Sequence, residues 1–172
     1  MHHLQSRNYF DFMRVVMSSE MSASFASSSR SKRGFGVNLK DERGLAIVRR
    51  LVEQSDVVIE NSSTGTMDDL GLGFAALQSS NPGIVMTSSQ LLGSRGAWAN
   101  WIGYGPSTQP IGGLVHLWNY ENREEPAGST SIFPDHLAGR VAAIVSLALL
   151  YRRANSGEGG HGEVAQAEVV AN

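Results

Sequence analysis

One acidic residue stands out by its setting. In SIFPDHLAGRVAAIVSLALLYRR, residues 131–153, Asp135 follows a proline and opens a long apolar run. A carboxylate at the mouth of a buried helix has two uses. It can cap the helix by accepting a hydrogen bond from a free backbone N–H. Alternatively, held ionised by the helix end, it can attack an acyl group as a nucleophile. Asn61 is the second candidate, because it ends the β-branched run DVVIEN, and ligands of parallel α/β sheets gather at the carboxyl ends of strands. As an ordinary loop residue it would instead bond its own backbone.

Other chemistries lack their residues. There is no cysteine, which excludes a disulfide framework, a thiol nucleophile and a thiolate metal site. The five histidines, His2, His3, His116, His136 and His161, include no pair at ligand spacing on a helix, so no metal is expected. No G-x-G-x-x-G follows a strand, and neither a P-loop lysine nor a G-x-S-x-G elbow is present. GYGPS and GEGGHG are glycine-rich but read as turns. The formal net charge of -2 gives no electrostatic case for nucleic acid. The apolar run Val141–Leu150 is too short to span a bilayer. With no secretory pattern at the start, a cytoplasmic setting is expected.

The elements that must position these residues follow from composition and periodicity. At 172 residues, 41% hydrophobic and 17% charged, the chain can build one ordinary core. Residues 1–33 are serine-rich with weak periodicity and read as loop. GFGVNL, 34–39, suits a short strand. KDERGLAIVRRLVEQS carries Leu45, Val48, Leu51 and Val52 at helical spacing, with Asp41 as N-cap. DVVIEN reads as a strand buried on both faces, and PGIVMTSSQ as another. Between them TMDDLGLGFAALQSSN gives two short helical turns separated by Gly71 and Gly73. A helix is expected from Pro106 to Leu117. A longer one follows Asp135, ending in Arg152 and Arg153 and stopped by Gly157. GEVAQAEVV reads as a last strand. The alternation predicts an α/β fold, a Rossmann-like parallel sheet with helices on both faces.

Four stretches in order then resemble the class III CoA-transferase family, the CaiB/BaiF type that includes formyl-CoA and carnitine CoA-transferases. They are SRSKRGFGVNLKDERG, DVVIENSSTGTMDDLGLGFAAL, NPGIVMTSSQLLGSRGAWANWIGYG and PDHLAGRVAAIVSLALLYRRANSGEGGHGEV. The resemblance makes residues 24–172 part of the family's large domain, preceded by a segment, 1–23, without a readable pattern. It implies that Asp135 is the catalytic nucleophile, attacking an acyl-CoA thioester and passing through an acyl anhydride and an aspartyl-CoA thioester. Val37, Asn38, Leu39 and Lys40 would line the adenine end of CoA. Asn61, Ser62 and Ser63 would contact it at the strand end, and Tyr104 would lie near the thioester. Ser62 and Ser63 differ from the family residues, Thr64 replaces its proline, and Asp69 stands where a basic residue is common.

The resemblance further implies no permanently bound cofactor, with coenzyme A and acyl-CoA as substrates. The partners would be an acyl-CoA, a carboxylic acid acceptor, and a second chain, since relatives form interlocked homodimers; a complementing subunit would serve equally. Neither nucleic acid nor membrane is implied. Relatives carry an opening nucleotide-binding loop and a second domain that this chain does not display, so it reads as an internal fragment. Two rival readings are the α-methylacyl-CoA racemase branch of the superfamily and an inactive CoA-binding fragment.

Overall fold

The runs that the sequence marks as strands pair in parallel. A computed structural model describes residues 2–5, 22–125 and 133–172, and its contacts divide the chain into two units, Met1–Val48 and Arg49–Asn172. The expected loops at 6–21 and 126–132 lie outside the described residues.

In the first unit β1 (His2–Gln5) pairs in parallel with β2 (Arg33–Gly36), from His2↔Arg33 to Gln5↔Gly36. Two expectations need correcting here. The stretch read as loop contains a strand, and its serines form a helix, α1 (Ala23–Ser28), with Ser22 as N-cap. The Phe25 N–H donates to Ser22 Oγ at 3.1 Å, and the hydroxyls of Ser27 and Ser28 fold back onto Ser24 C=O. Serine disfavours helix interiors but serves well at their ends. The second strand stops at Gly36, before the expected residue 39, because Asn38 turns the chain. The Lys40 N–H donates to Asn38 Oδ1 at 3.1 Å and the Asp41 N–H to Asn38 C=O at 3.2 Å. Helix α2 (Glu42–Glu53) then begins, starting in the first unit and ending in the second. Asp41 caps it as expected, accepting from the Arg43 N–H at 2.9 Å. Hydrogen bonds from the Arg43 side chain hold the Asp41 carboxyl down at about 2.

The second unit is built on β3 (Val57–Glu60), β4 (Val85–Gln90) and β5 (Gly160–Ala165), in the order β3-β4-β5 and all parallel. Only the central β4 is buried throughout. β3 was expected to be buried on both faces, yet it is an edge strand and Ile59 is 47% exposed. Helices α3 (Thr66–Asp69) and α4 (Phe74–Ser80) fall on either side of Gly71, as the spacing predicts. The single helix expected from Pro106 to Leu117 is two, α5 (Gly105–Ile111) and α6 (Leu114–Leu117). Gly113 breaks it at φ 76°, a left-handed conformation in which glycine escapes the Cβ penalty.

The long helix α7 (Phe133–Ser156) starts before Asp135, not after it. It runs antiparallel to the strands: Ser146 bonds Thr87 (Oγ···Oγ1 2.8 Å), while Arg153 reaches back to Gly83 C=O at 2.9 Å and Asp56 Oδ1 at 2.8 Å. Its buried stripe, Pro134, Ala138, Ala142 and Ser146, repeats every fourth residue and contains only small side chains. GEGGHG is a turn only in part. Gly157 ends α7, but Gly160 and Gly162 lie in β5, where a Cβ on Gly162 would collide with Val145. The expected last strand ends at Ala165 and turns into α8 (Gln166–Ala171), tied down by the Ala167 N–H to Leu91 C=O at 2.9 Å. His161 alternates with Gly160 and Gly162, so it faces away from α7, and Phe74 of α4 stacks on it at 5.4 Å. Helices thus cover both faces.

The outer side of α7 stays apolar and open, with Ile144, Leu147 and Tyr151 at 64%, 65% and 76% exposure. By length and apolar content the whole helix meets the requirement for crossing a membrane, which the run Val141–Leu150 alone does not.

Asn81 joins the loops at the amino ends of the strands. Its Nδ2 donates to Val52 C=O at 3.0 Å and Ser55 C=O at 2.9 Å, and its Oδ1 accepts from the Gly83 N–H at 3.2 Å. Asn81→Ala removes three hydrogen bonds and leaves Ser55 C=O and the Gly83 N–H without this partner, while Val52 C=O keeps the Ser55 N–H at 3.0 Å; it should lower the unfolding free energy by about 1–3 kcal/mol. Denaturant titration should show an earlier midpoint with an unchanged slope.

Candidate active site

The orientation of α7 places Asp135 relative to the sheet. From Ser146, which touches the middle of β4, three turns back along the helix cover about 16 Å at 1.5 Å per residue. Asp135 therefore lies past the carboxyl ends of the strands, where parallel sheets carry their ligands. Its neighbours fix the first turn. Pro134 is wholly buried, a position in the helix that a missing N–H does not weaken. Phe133 meets Trp118 edge-on at 5.8 Å.

The carboxylate is half-buried, and no described residue donates a hydrogen bond to it. The capping role is therefore not the one it plays: it sits inside the first turn and binds none of the free N–H groups. Burial pushes its pKa up, and the charge of His136 partly opposes this. A carboxylate stripped of water without replacement donors is a stronger base and nucleophile than one in solution.

Gly105 closes one side of this niche. A Cβ built on Gly105 would overlap the Asp135 carboxyl group, with Cγ and both oxygens inside the 3.0 Å that real Cβ atoms keep. The residue is held by its own helix, since Thr108 Oγ1, fully buried, donates to Gly105 C=O at 2.6 Å. Tyr104, one residue before, directs its side chain outward at 81% exposure, and its N–H donates to Ser107 Oγ at 3.4 Å. The structure thus brings the backbone next to Tyr104 to Asp135 and leaves the phenol in the open.

The other expected site residues fall into two groups. Asn61 and Ser63 are exposed just past the end of β3, and Ser62 is half-buried beside them, all at the same carboxyl end of the sheet as Asp135. Val37, Asn38, Leu39 and Lys40 belong to the first unit and form the turn into α2; Asn38 and Lys40 are exposed, Val37 and Leu39 half-buried.

Two residues that the sequence did not single out shape the strand ends. Glu60 accepts from the Ser62 N–H at 2.7 Å with one oxygen and from Gln90 Nε2 at 2.8 Å with the other. Gln90 Oε1 is buried with no partner among the described residues. The signal was a polar residue closing each of the two strands, VVIE and VMTSSQ.

Comparison with known proteins agrees with this architecture. The family model for CoA-transferase family III matches residues 3–172, so the chain belongs to CoA-transferase family III. It is 38% identical to a probable CoA-transferase of Mycobacterium tuberculosis, over 98% of this chain and 22% of that protein. It is 33% identical to a succinyl-CoA–D-citramalate CoA-transferase of Chloroflexus aurantiacus, over 76% of this chain and 32% of that one. The crystal structure of a CaiB/BaiF family protein from Brucella suis superposes with a TM-score of 0.91 at 30% identity, covering 99% of this chain and 46% of its own. The chain spans less than half the length of each of these relatives.

The raised pKa of Asp135 makes a stability prediction. The native state holds this proton more tightly than the unfolded chain does. The associated stability is therefore full below the ordinary carboxylate value of 3.8 and is lost as the pH rises through the native value. Asp135→Asn, which mimics the neutral form, should melt higher than the parent at pH 7. The difference should vanish toward pH 4. Thermal unfolding at both pH values checks this, and a lower melting point for the variant at pH 7 would contradict it.

Proposed function

We propose that this chain carries the nucleophile half of a class III CoA-transferase site, with Asp135 as the catalytic residue. What supports the reading is the single arrangement just described: a half-buried carboxylate that no described residue donates a hydrogen bond to, at the carboxyl end of a parallel sheet, in a member of CoA-transferase family III.

The steps follow from that carboxylate. Asp135 attacks the thioester carbonyl of an acyl-CoA; the C–S bond breaks, and an acyl-aspartyl anhydride and the CoA thiolate result. The thiolate attacks the aspartyl carbonyl, releasing the donor acid as its carboxylate and leaving an aspartyl-CoA thioester. The acceptor carboxylate attacks that thioester to form a second anhydride and release the thiolate. The thiolate then takes the acceptor's acyl group, and Asp135 is regenerated. Every intermediate keeps an activated acyl group, so no nucleotide is consumed. In this reading Val37–Lys40, Asn61, Ser62, Ser63 and Tyr104 bind CoA, the working protein is a dimer or a complemented pair of chains, and its setting is cytoplasmic.

Racemisation of an α-carbon would need a base and an acid on opposite sides of it. Among the described residues the only titratable group acting on Asp135 is the adjacent His136, which is exposed one residue further along the same helix. Successive helical residues point about 100° apart and do not flank one carbon.

Two experiments follow. In the full-length protein, Asp135→Asn should abolish CoA transfer, and hydroxylamine trapping after acyl-CoA incubation should mark Asp135. Retained transfer, or rapid deuterium uptake at the α-carbon of a 2-methylacyl-CoA without any acceptor acid, would overturn the reading. Separately, Lys40→Ala and Asn61→Ala should each weaken CoA binding by about 1–3 kcal/mol in calorimetry; unchanged affinity in both would remove these contacts.

A further inference from the structure

The motif GYGPS, read from sequence as a turn, contains the residue that touches Asp135. We infer that Gly105 is a positioning residue for the nucleophile: its bare Cα forms one wall of the carboxylate's niche and fixes where the attacking oxygens stand. The inference rests on Asp135 being the nucleophile, and it adds a residue outside the set that chemistry alone would select.

Three observations carry it. A Cβ on Gly105 would fall inside the Asp135 carboxyl group, so glycine is the one residue that leaves the carboxylate in place. Gly105 cannot retreat easily, because it is buried and the buried Thr108 hydroxyl holds its carbonyl at 2.6 Å. Asp135 cannot retreat along its helix either, because Pro134 is buried and Phe133 packs on Trp118. Any added side chain must therefore turn the carboxylate about its own bonds. The wall has a second property. It presents carbon, not an N–H, to the carboxylate, so it excludes water without supplying a hydrogen bond that would quench the nucleophile. Nearby glycines do not share the role. Gly103 approaches Leu91 and Ser107, and Gly139, one turn after Asp135, has open space where its Cβ would be.

The test uses the full-length protein with Gly105→Ala, and Gly139→Ala, one turn after Asp135 on α7, as the control. A displaced nucleophile lowers the chemical step more than substrate binding. Gly105→Ala should reduce kcat on the order of 10²-fold, with KM for acyl-CoA within about twofold and less Asp135 adduct trapped per turnover time. Gly139→Ala should leave kcat and KM as in the parent and raise stability slightly. Parent-like kcat in Gly105→Ala, beside an inactive Asp135→Asn, would overturn the positioning role and leave the nucleophile standing. Transfer retained in Asp135→Asn would instead remove the nucleophile reading itself. If Gly105→Ala does not fold, the double variant with Asp135→Ala decides, because the carboxyl group it collides with is then gone. Recovery of folding in the double variant supports the contact, and failure in both overturns it.

Discussion

The close approach of α7 to the sheet is the constraint on which the rest depends. A helix bearing large residues on its inner face would ride high above the strands. Here the inner stripe is Pro134, Ala138, Ala142 and Ser146, and β5 answers with Gly160 and Gly162. Neither side has bulk to spare: Val145 and Leu149 already fill the space that a side chain on Gly162 would take. The large apolar residues of the helix are therefore displaced to its flanks and outer side. A helix that is apolar all round, which elsewhere would signal complete burial, here has its smallest residues inward and Ile144, Leu147 and Tyr151 outward.

This packing explains why the sequence was legible in some places and not in others. Strand and helix runs with clear periodicity were found where expected, among them β4, α2 with its Asp41 cap and the pair α3 and α4. Two of the errors share one cause, which is that glycine and serine signify by context. In GEGGHG one glycine ends a helix while two others make room for it inside a strand, and composition does not distinguish the two uses. The serine-rich stretch before residue 30 holds a capped helical turn because Ser22 Oγ accepts from the Phe25 N–H while the hydroxyls of Ser27 and Ser28 donate to Ser24 C=O. The burial of β3 was overestimated because a β-branched run looks alike in the centre and at the edge of a sheet, and only the pairing order separates them.

The candidate site was legible in its chief residue and illegible in its surroundings. Asp135 could be picked out because a charge at the head of an apolar helix is conspicuous. Its lack of donors could not be, since that depends on which residues do not reach it. Gly105 is thirty positions earlier and has no functional group to notice. Glu60 and Gln90 are separated by a helical excursion and meet only because β3 and β4 are neighbours in register. Active sites of this kind are assembled as much from shape and exclusion as from reactive groups, and shape has no one-letter code.

The hydroxyl pair between Thr87 and Ser146 has a mechanical meaning. Ser146 has one proton, and it is committed to Ala142 C=O at 2.8 Å. Thr87 must therefore be the donor across the interface, and in that wholly buried position no other acceptor reaches its hydroxyl among the described residues. Sliding the helix by one turn would leave the Thr87 hydroxyl facing hydrocarbon, at a cost of about 1–3 kcal/mol. The pair works as an indexing pin. It lets α7 engage the sheet at one height and resist creep along its axis, so that a contact in the middle of the core sets how far the helix tip overhangs the strand ends.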